Sequence, residues 1–300
     1  MFRKMIPLAV AVVLVIGCKK KGETGGDGGD PGDPNATYTL KVREEQQGDK
    51  TDVTTVTTGT TELDGGPGKS LKLQEDAQAE YTETILVMPA GATKPTKLTR
   101  VYRKATNFDL GAKGPKSLPY EGKTVTIEKK GAGYEYTADG KKLTQFEGFT
   151  LDTEFGRPDK KESKIQGLLP KSAVKVGETW TVDMATIKNL LPGMQFAFDE
   201  SKSKTTGKLT RAYTQDGKPW GTIAFDFDMA VDPKGGAGPK GGEANGTVKI
   251  TVTLDAVIDG SAPDGTMKMT AKMDVTGTEP GKVMKASADM TRTKTVKTVK

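Results

Sequence analysis

The sequence predicts an all-β, mainly antiparallel body, built as a long curved meander sheet or an open half-barrel, with one short helix near residues 184–191. Three observations predict this class. From Tyr38 onward, apolar residues repeatedly alternate with polar ones, which is the period of a half-buried strand. Threonine, a β-branched residue suited to the exposed face of a sheet, is abundant. Only 34% of the residues are hydrophobic, so we expect a thin core.

The composition excludes several classes of chemistry. The chain of 300 residues contains no histidine, which removes the usual general base of serine and cysteine hydrolases and the commonest transition-metal ligand. Its formal net charge of +6 is too small to indicate nucleic-acid binding. We therefore expect a non-enzymatic protein with no cofactor, no metal site and no nucleic-acid partner.

Residues 1–17 are organised like a signal peptide. Arg3 and Lys4 form a positive segment, and the apolar stretch Ile6 to Ile16 is shorter than the roughly 20 residues of a membrane span. It runs into Val15-Ile16-Gly17-Cys18, which resembles the lipobox of bacterial lipoproteins. The resemblance implies cleavage before Cys18 and a diacylglyceryl thioether on its sulfur. An ordinary secretory signal with an incidental cysteine is the alternative.

The expected cellular location of the protein follows from the lipidation predicted at Cys18. Two or three acyl chains, at about 0.8 kcal/mol per buried methylene, hold a protein on a bilayer. We expect a lipid anchor in the bacterial cell envelope with the body on the extracytoplasmic side, and membrane lipid as the one identifiable partner. Residues 18–36 comprise the lipidated cysteine and a flexible Gly- and Asp-rich tether, and residues 37–300 form the body.

The first half of the body reads as half-buried strands of uneven regularity. Tyr38, Leu40 and Val42 alternate with polar residues, and the pattern continues from Leu71 to Val87. A clearer meander follows, in which Val125 and Ile127 lead through glycine turns to further alternation, and Asp139-Gly140 supplies a hairpin turn. Antiparallel pairing of neighbouring strands is the simplest arrangement.

The middle of the chain contains the helix candidate. Asp183 is placed as an N-cap before Met184 to Leu191, and Pro192-Gly193 ends the pattern. Upstream, residues 168–182 (LLPKSAVKVGETWTV) resemble a stretch found in uncharacterised envelope lipoproteins. That family has no assigned activity. A subdivision of the body near residues 160–170 is also compatible with the sequence.

The C-terminal region has the most regular alternation and predicts four long strands, paired in chain order. Methionine fills irregular core gaps and also lines adaptable ligand surfaces, so the apolar face of these strands is the candidate binding surface. The residues of this face are Phe225, Phe227, Met229, Met267, Met269, Met273 and Met290. Such a sheet resembles, by architecture alone, the LolA-like fold of lipoproteins and lipid carriers. Its face is either packed core or an open groove, according to whether earlier strands cover it or continue the sheet.

Three functional hypotheses remain from the residues. The first is a lipid-anchored envelope protein of binding or structural type, and the second is a carrier of lipids or other apolar ligands. The third is a carboxylate-dependent glycan hydrolase using Asp226 or Asp228, although a charged, solvated sheet face explains these residues more simply.

The last strand carries a basic stripe. Residues 282–300 hold six basic side chains and one acidic one, Asp289. Because lysines on an edge strand prevent unwanted pairing, the sequence predicts that the stretch from Lys282 to Lys300 is an edge strand or frayed tail.

Overall fold

The structure is a computed structural model that describes residues 30–33, 35–64, 70–92, 94–107, 114–156, 165–190, 197–233, 243–279 and 282–299. Within these residues the predicted all-β, antiparallel class is confirmed. The strands are β1 (Asp30–Pro31), β2 (Thr37–Tyr38), β3 (Lys50–Asp64), β4 (Ser70–Val87), β5 (Lys97–Asn107), β6 (Lys116–Ser117), β7 (Thr124–Lys130), β8 (Gly133–Ala138), β9 (Lys141–Lys142), β10 (Val174–Lys175), β11 (Thr179–Thr181), β12 (Phe198–Gln215), β13 (Lys218–Val231), β14 (Glu243–Val257), β15 (Gly265–Glu279) and β16 (Lys282–Thr298). The helices are α1 (Phe149–Phe155) and α2 (Met184–Leu190), and a 3-10 turn spans Ile165–Leu168.

One antiparallel sheet takes in every described strand except the β2–β10 pair. Its order is β1-β12-β13-β14-β15-β16-β3-β4-β5-β7-β8-β9, and the sheet is not closed into a barrel over this part of the chain. The strands from β12 to β16 pair in chain order, as do those from β3 to β5. The predicted C-terminal meander is therefore confirmed, and the strands before residue 168 extend the same sheet.

Two hairpins show how the sequence sets the register. Asp139-Gly140 joins β8 to β9 and Asp216-Gly217 joins β12 to β13, and both residues of each turn have positive φ, between 46° and 78°. This is the geometry of a type I′ turn, whose twist matches that of the flanking strands. Asp and Gly are used because larger L-residues adopt positive φ at a steric cost. The Asp139-Gly140 turn was predicted from the sequence.

The predicted edge position of the last strand is wrong. Strand β16 lies inside the sheet and pairs along its length with β15 on one side and β3 on the other. At its end Val299 still donates a backbone hydrogen bond to Lys50, at 2.9 Å. The prediction relied on the basic stripe, because β3, the strand that pairs with β16, is far away in sequence and no local pattern indicates it. The threonines of β3 gave no further indication, since threonine is compatible with both exposed and buried positions in a sheet.

Three short elements, α2, α1 and β2, agree with the sequence predictions to different degrees. Helix α2 follows the prediction, and the Asp183 carboxylate accepts the amide hydrogen of Thr186 at 3.3 Å, as an N-cap does. Helix α1 was not predicted, because its N-cap position is Gly148, which supplies no capping side chain as a start signal. The expected strand around Leu40 is reduced to β2, while Leu40 itself is buried.

The core consists of two hydrophobic clusters on one face of the sheet, which we call the inner face. Cluster 1 lies over β12–β16, and cluster 2 lies over β3–β8 and α1. The strand β16 contributes to both, because Met290 belongs to cluster 1 and Val296 to cluster 2. A third, small group lies on the outer face and consists of Tyr213, Trp220, Val257 and Ala262.

Candidate functional site

The face predicted to bind apolar ligands is interior in this structure. All seven of its residues are buried in cluster 1, with between 0% and 8% of their surface exposed: Phe225, Phe227, Met229, Met267, Met269, Met273 and Met290. Methionine here fills space among aliphatic and aromatic side chains. The binding role of these residues remains a prediction, and it would require the covering segment to move.

The covering segment is formed by residues 165–187. Its buried side chains in cluster 1 are Ile165, Leu168, Leu169, Val174, Val182, Met184 and Ile187. The Trp180 ring meets Phe225 edge-on at a centroid distance of 6.1 Å, and its Nε1 donates to the Leu168 carbonyl at 2.8 Å. The stretch that resembles uncharacterised lipoproteins therefore acts here as the layer that closes cluster 1.

Between the two clusters, the inner face carries several short side chains among larger ones. We call this region the central lane and define it by inner-facing residues of β16, β3 and β4: Ala286, Ala288, Thr57, Gly59, Ala77 and Ala79. All six are half-buried. Ala286 and Ala288 pack against cluster 1, and Ala79 packs against cluster 2.

The strand register gives the dimensions of the central lane. Along β16, Ala286 to Lys294 spans eight residues, which is about 27 Å at 3.4 Å per residue. Across the three strands the width is about 10 Å at 4.8 Å per strand. The same rows also carry the larger inner-facing side chains Leu63, Leu71, Leu73 and Met290, so the central lane is a partly exposed strip of mixed small and large side chains. One acidic side chain, Glu75, faces it from the row of Gly59, and burial raises its pKa.

One end of the central lane meets a buried ion-pair network centred on Arg100. Only 2% of the Arg100 surface is exposed. Its Nε donates to Glu83 at 2.6 Å, and its two terminal nitrogens donate to both oxygens of Glu154 at 2.8 and 2.6 Å. Such bidentate pairs are the strongest that arginine makes. Strands β4 and β5 place Glu83 directly opposite Arg100, while α1 supplies Glu154.

Aromatic rings enclose the Arg100 guanidinium. Its central carbon lies 4.4 Å from the centroid of the Tyr81 ring and 4.9 Å from that of Phe155. Burial raises the pKa of Tyr102 to about 12, so this phenol stays protonated at neutral pH. The aromatic wall shields the ion pairs from water, which strengthens them.

The pKa values of two acidic residues in this network are shifted in opposite directions. Burial opposes ionisation of Glu154, but the charge of Arg100 outweighs it and lowers the pKa of Glu154 to about 2. For Glu45, burial dominates and the nearby Glu83 charge adds to it, so its pKa rises to about 7. Glu154 is thus a fixed anion, whereas Glu45 changes charge near neutrality.

Two basic residues of β16 complete the network. Arg292 and Lys294 face inward on the rows of Ala77 and Ala79, where the central lane ends. Lys294 is only 5% exposed, and burial lowers its pKa. Their alternation continues the inner-face series of Ala286, Ala288 and Met290 by two steps. That phase was a sequence signal for inward-facing cations, which the prediction of an edge strand or frayed tail with a basic stripe overlooked.

The carboxylates considered for hydrolysis lie on the outer face. Asp226 and Asp228 are exposed. Asp228 pairs with Lys249 at 3.0 Å, and Asp226 accepts a hydrogen bond from Thr251 at 3.2 Å. These are the contacts of a charged, solvated sheet surface.

A groove of about 740 Å³ crosses the ends of five strands, β14, β15, β16, β3 and β4. Its lining includes charged residues of both signs, among them Glu62, Asp64, Lys72, Asp274 and Lys285. Lys72 and Glu62 form an ion pair within it. Because the groove is open and its lining carries both positive and negative charges, it does not indicate a binding site for one defined ligand.

The proposed lipidation residue, Cys18, lies outside the described residues, as does most of the tether. No described helix combines the length and apolar character that crossing a membrane requires. Within the described part of the chain, His, Cys, Asp and Glu side chains form no group of three or more suited to a metal ion. Neither the protein-family models nor the curated proteins compared with this chain gave a match.

Proposed function

We propose that this chain is a lipid-anchored protein of the bacterial cell envelope, with a non-enzymatic body that serves as a binding or structural module. The anchor is inferred from the first 18 residues, where a positive segment, an apolar stretch and Gly17-Cys18 follow one another in lipobox order. The open sheet, with its core on one face, supports a scaffold role for the body.

The central lane is the observation that favours binding over a purely structural role. A sheet face buried for stability carries large apolar side chains, as clusters 1 and 2 do. In the lane between them, alanine, glycine and threonine lie among Leu63, Leu71 and Leu73, and the apolar face is only half-buried or exposed at these leucines. We therefore propose an extended apolar molecule, such as an acyl chain, as its ligand. This moves the carrier hypothesis from the methionine face to the neighbouring strip.

The anchor is tested by metabolic labelling. The full chain should incorporate labelled palmitate and fractionate with membranes, and Cys18→Ala should abolish both. A Cys18→Ala chain that still fractionates with membranes, together with a wild-type chain that takes up no label, would refute the anchor.

The binding role is tested by filling the central lane. Protein that starts at Lys19, which retains every described contact, is titrated with a fluorescent acyl-chain probe. Ala288→Leu should weaken binding at least five-fold, because the added side chain occupies the lane. Ser287→Leu, on the adjacent residue and the opposite face, should leave binding unchanged. Equal binding by both variants would refute the lane as the site.

A further inference from the structure

The hairpin that joins β4 to β5 is apolar where the chain turns. Residues 85–92, with the sequence ILVMPAGA, form a run of eight residues without a polar side chain. We call residues 86–91 of this run the apolar tip. Hairpin turns exposed to water ordinarily carry polar turn residues, as the Asp139-Gly140 and Asp216-Gly217 turns of this sheet do. The composition of the apolar tip therefore indicates a role other than turn formation.

Most of the apolar tip is exposed. The exposed fraction is 38% for Leu86 and 41% for Val87, and residues 89–91 are exposed as well. The backbone amide of Ala92 donates to the Pro89 carbonyl at 3.0 Å, which closes the turn. The turn therefore holds these side chains away from the core, at the end of two paired strands. Exposed apolar side chains that adjoin one another mark surfaces that contact a partner or a membrane.

The apolar tip lies at the end of the sheet where the tether enters. The tether joins the sheet through β1, in which Asp30 pairs with Thr214 of β12. In order across the sheet from β12 to β4, backbone pairing and hydrogen bonds place at this end Thr214, Pro219, Ile258, Asp264, Thr298, Lys50 and Ile85. Seven strands about 4.8 Å apart put the tip about 29 Å from Thr214 along this end.

The length of the tether allows the anchor and the apolar tip to meet one bilayer. Asp30 comes twelve residues after Cys18, and an extended chain covers at most about 3.6 Å per residue, or about 43 Å in all. The other end of β4 is about 51 Å further away, since Leu71 lies fifteen residues before Leu86 at about 3.4 Å per residue. An acylated Cys18 would therefore hold the end with the apolar tip nearest the bilayer.

The charges around the apolar tip complement an anionic lipid surface. The lysines next to it, on β5 and at the end of β7, are Lys94, Lys97, Lys129 and Lys130. Glu128 is the acidic residue among them, which leaves +3. Residues 43–50, which adjoin Ile85 on the other side, carry two basic and three acidic side chains and contribute −1. The surroundings of the tip are therefore positive, with a net charge of +2.

We propose that the apolar tip inserts into the surface of a lipid bilayer, so that the body contacts the membrane at a point separate from Cys18. The choice of a bilayer as the partner rests on the proposed anchor. Leu86 and Val87 then lie at the boundary between head groups and acyl chains, and the neighbouring lysines lie among the head groups. A second contact of this kind fixes the orientation of the sheet on the membrane, which a flexible tether does not.

Vesicle binding by the unanchored body tests the insertion. Protein that starts at Lys19 contains every described residue and lacks the cysteine that would be acylated. It should cosediment with vesicles of phosphatidylcholine and phosphatidylglycerol. Val87→Asp should weaken this binding at least five-fold, because a carboxylate resists transfer to the apolar boundary. Leu71→Asp is the control and should bind like wild type, since Leu71 is also 41% exposed but lies at the opposite end of β4.

A dye on the apolar tip reports insertion directly. Because Cys18 is the one cysteine of the chain, protein that starts at Lys19 can carry a single new cysteine for labelling. The emission of a polarity-sensitive dye on Ala90→Cys should shift to shorter wavelength when vesicles are added. The same dye on Ser70→Cys, at the opposite end of β4, should show no shift.

Each contrary result has a distinct meaning. Folded Val87→Asp protein that binds vesicles like wild type would overturn the inference, and Leu86→Ser supplies the same test if Val87→Asp does not fold. Cosedimentation without a shift of the dye on Ala90→Cys overturns insertion, because charge alone then holds the protein on the vesicle. A dimer in solution that Val87→Asp dissociates assigns the tip to a protein interface instead. Absence of cosedimentation overturns the inference but leaves the proposed anchor intact, since palmitate labelling tests the anchor separately.

Discussion

Arg100 shows how one residue organises a site that short-range sequence patterns do not reveal. It is a cation between two tyrosines of β4 and β5, yet its partners come from the strand beside it and from a helix about 50 residues later. Removing one member of a buried ion pair leaves the other charges uncompensated, and this costs more than the pair contributes. The network therefore fixes α1 against the sheet as well as satisfying its own charges.

The first prediction concerns this fixation. Arg100→Leu should lower the free energy of unfolding by about 3–5 kcal/mol, measured by urea denaturation, because Glu83 and Glu154 lose their counter-ion. The control is Arg103→Leu, on the same strand and the outer face. Arg103 is 48% exposed and pairs with Asp52 at 3.1 Å, so its loss should cost less than about 1 kcal/mol. Equal costs for the two variants would show that the network does not stabilise the fold.

The second prediction follows from the raised pKa of Glu45. Because its pKa is about 7 in the folded protein against 4.5 ordinarily, the folded state holds this proton more tightly than the unfolded chain. That contribution to stability is fully present below about pH 4.5 and is lost as the pH rises through about 7. Between pH 5 and pH 8, Glu45→Gln should therefore gain stability relative to wild type.

Urea unfolding at the two pH values measures this change. Glu44→Gln, at the exposed neighbouring position, is the control and should follow wild type at both. A stability difference between Glu45→Gln and wild type that does not change with pH would contradict the prediction.

At the level of elements, the covering segment decides whether the methionine face is core or surface. One of its contacts with the sheet is made by Trp180, which lies opposite Gly207 where β11 pairs with β12. A Cβ atom on Gly207 would lie 2.4 Å from Cε2 of the indole ring. Glycine is needed there because the ring packs directly on the strand backbone, and the same ring reaches both Phe225 and Leu168.

The third prediction uses this close approach. Gly207→Ala should displace Trp180, shift tryptophan fluorescence to longer wavelength and lower the free energy of unfolding by about 1–3 kcal/mol. Gly277→Ala is the matched control in β15, because a Cβ atom there meets nothing within 4 Å. A Gly207→Ala spectrum identical to wild type would show that Trp180 is not seated on the strand.

The elements also show which features local sequence could predict. Strands β13 to β16 and their order follow from alternation and from the turns between them, and both are confirmed. The β16–β3 pairing was not predictable in this way, because it joins residues about 240 positions apart, such as Val53 and Val296. For the same reason the ion-pair network, assembled from β4, β5, α1 and β16 and from Glu45 before β3, left no local motif. The one usable sequence signal was the alternation along β16, which places Arg292 and Lys294 on the same face as Met290.

For the whole molecule, β16 joins the two halves of the sheet. It supplies Met290 to cluster 1 and Val296 to cluster 2, and it pairs with β15 and β3 without a break in register. If β16 detached from the sheet, both clusters would lose side-chain contacts. Since loops must close over most of the chain before β16 meets β3, we also expect folding to be slow.

The last prediction is that the two clusters unfold as one unit. Val296→Ala, a change within cluster 2, should lower the free energy of unfolding by about 1–3 kcal/mol through the cavity it leaves. If the sheet is one cooperative unit, native-state hydrogen exchange should show the same loss for the slowest amides of β14, over cluster 1, as for those of β7, over cluster 2. Val87→Ala, at a side chain that is 41% exposed, should change neither. A loss confined to β3–β8 would mean that the halves open separately, with the central lane at the boundary between them.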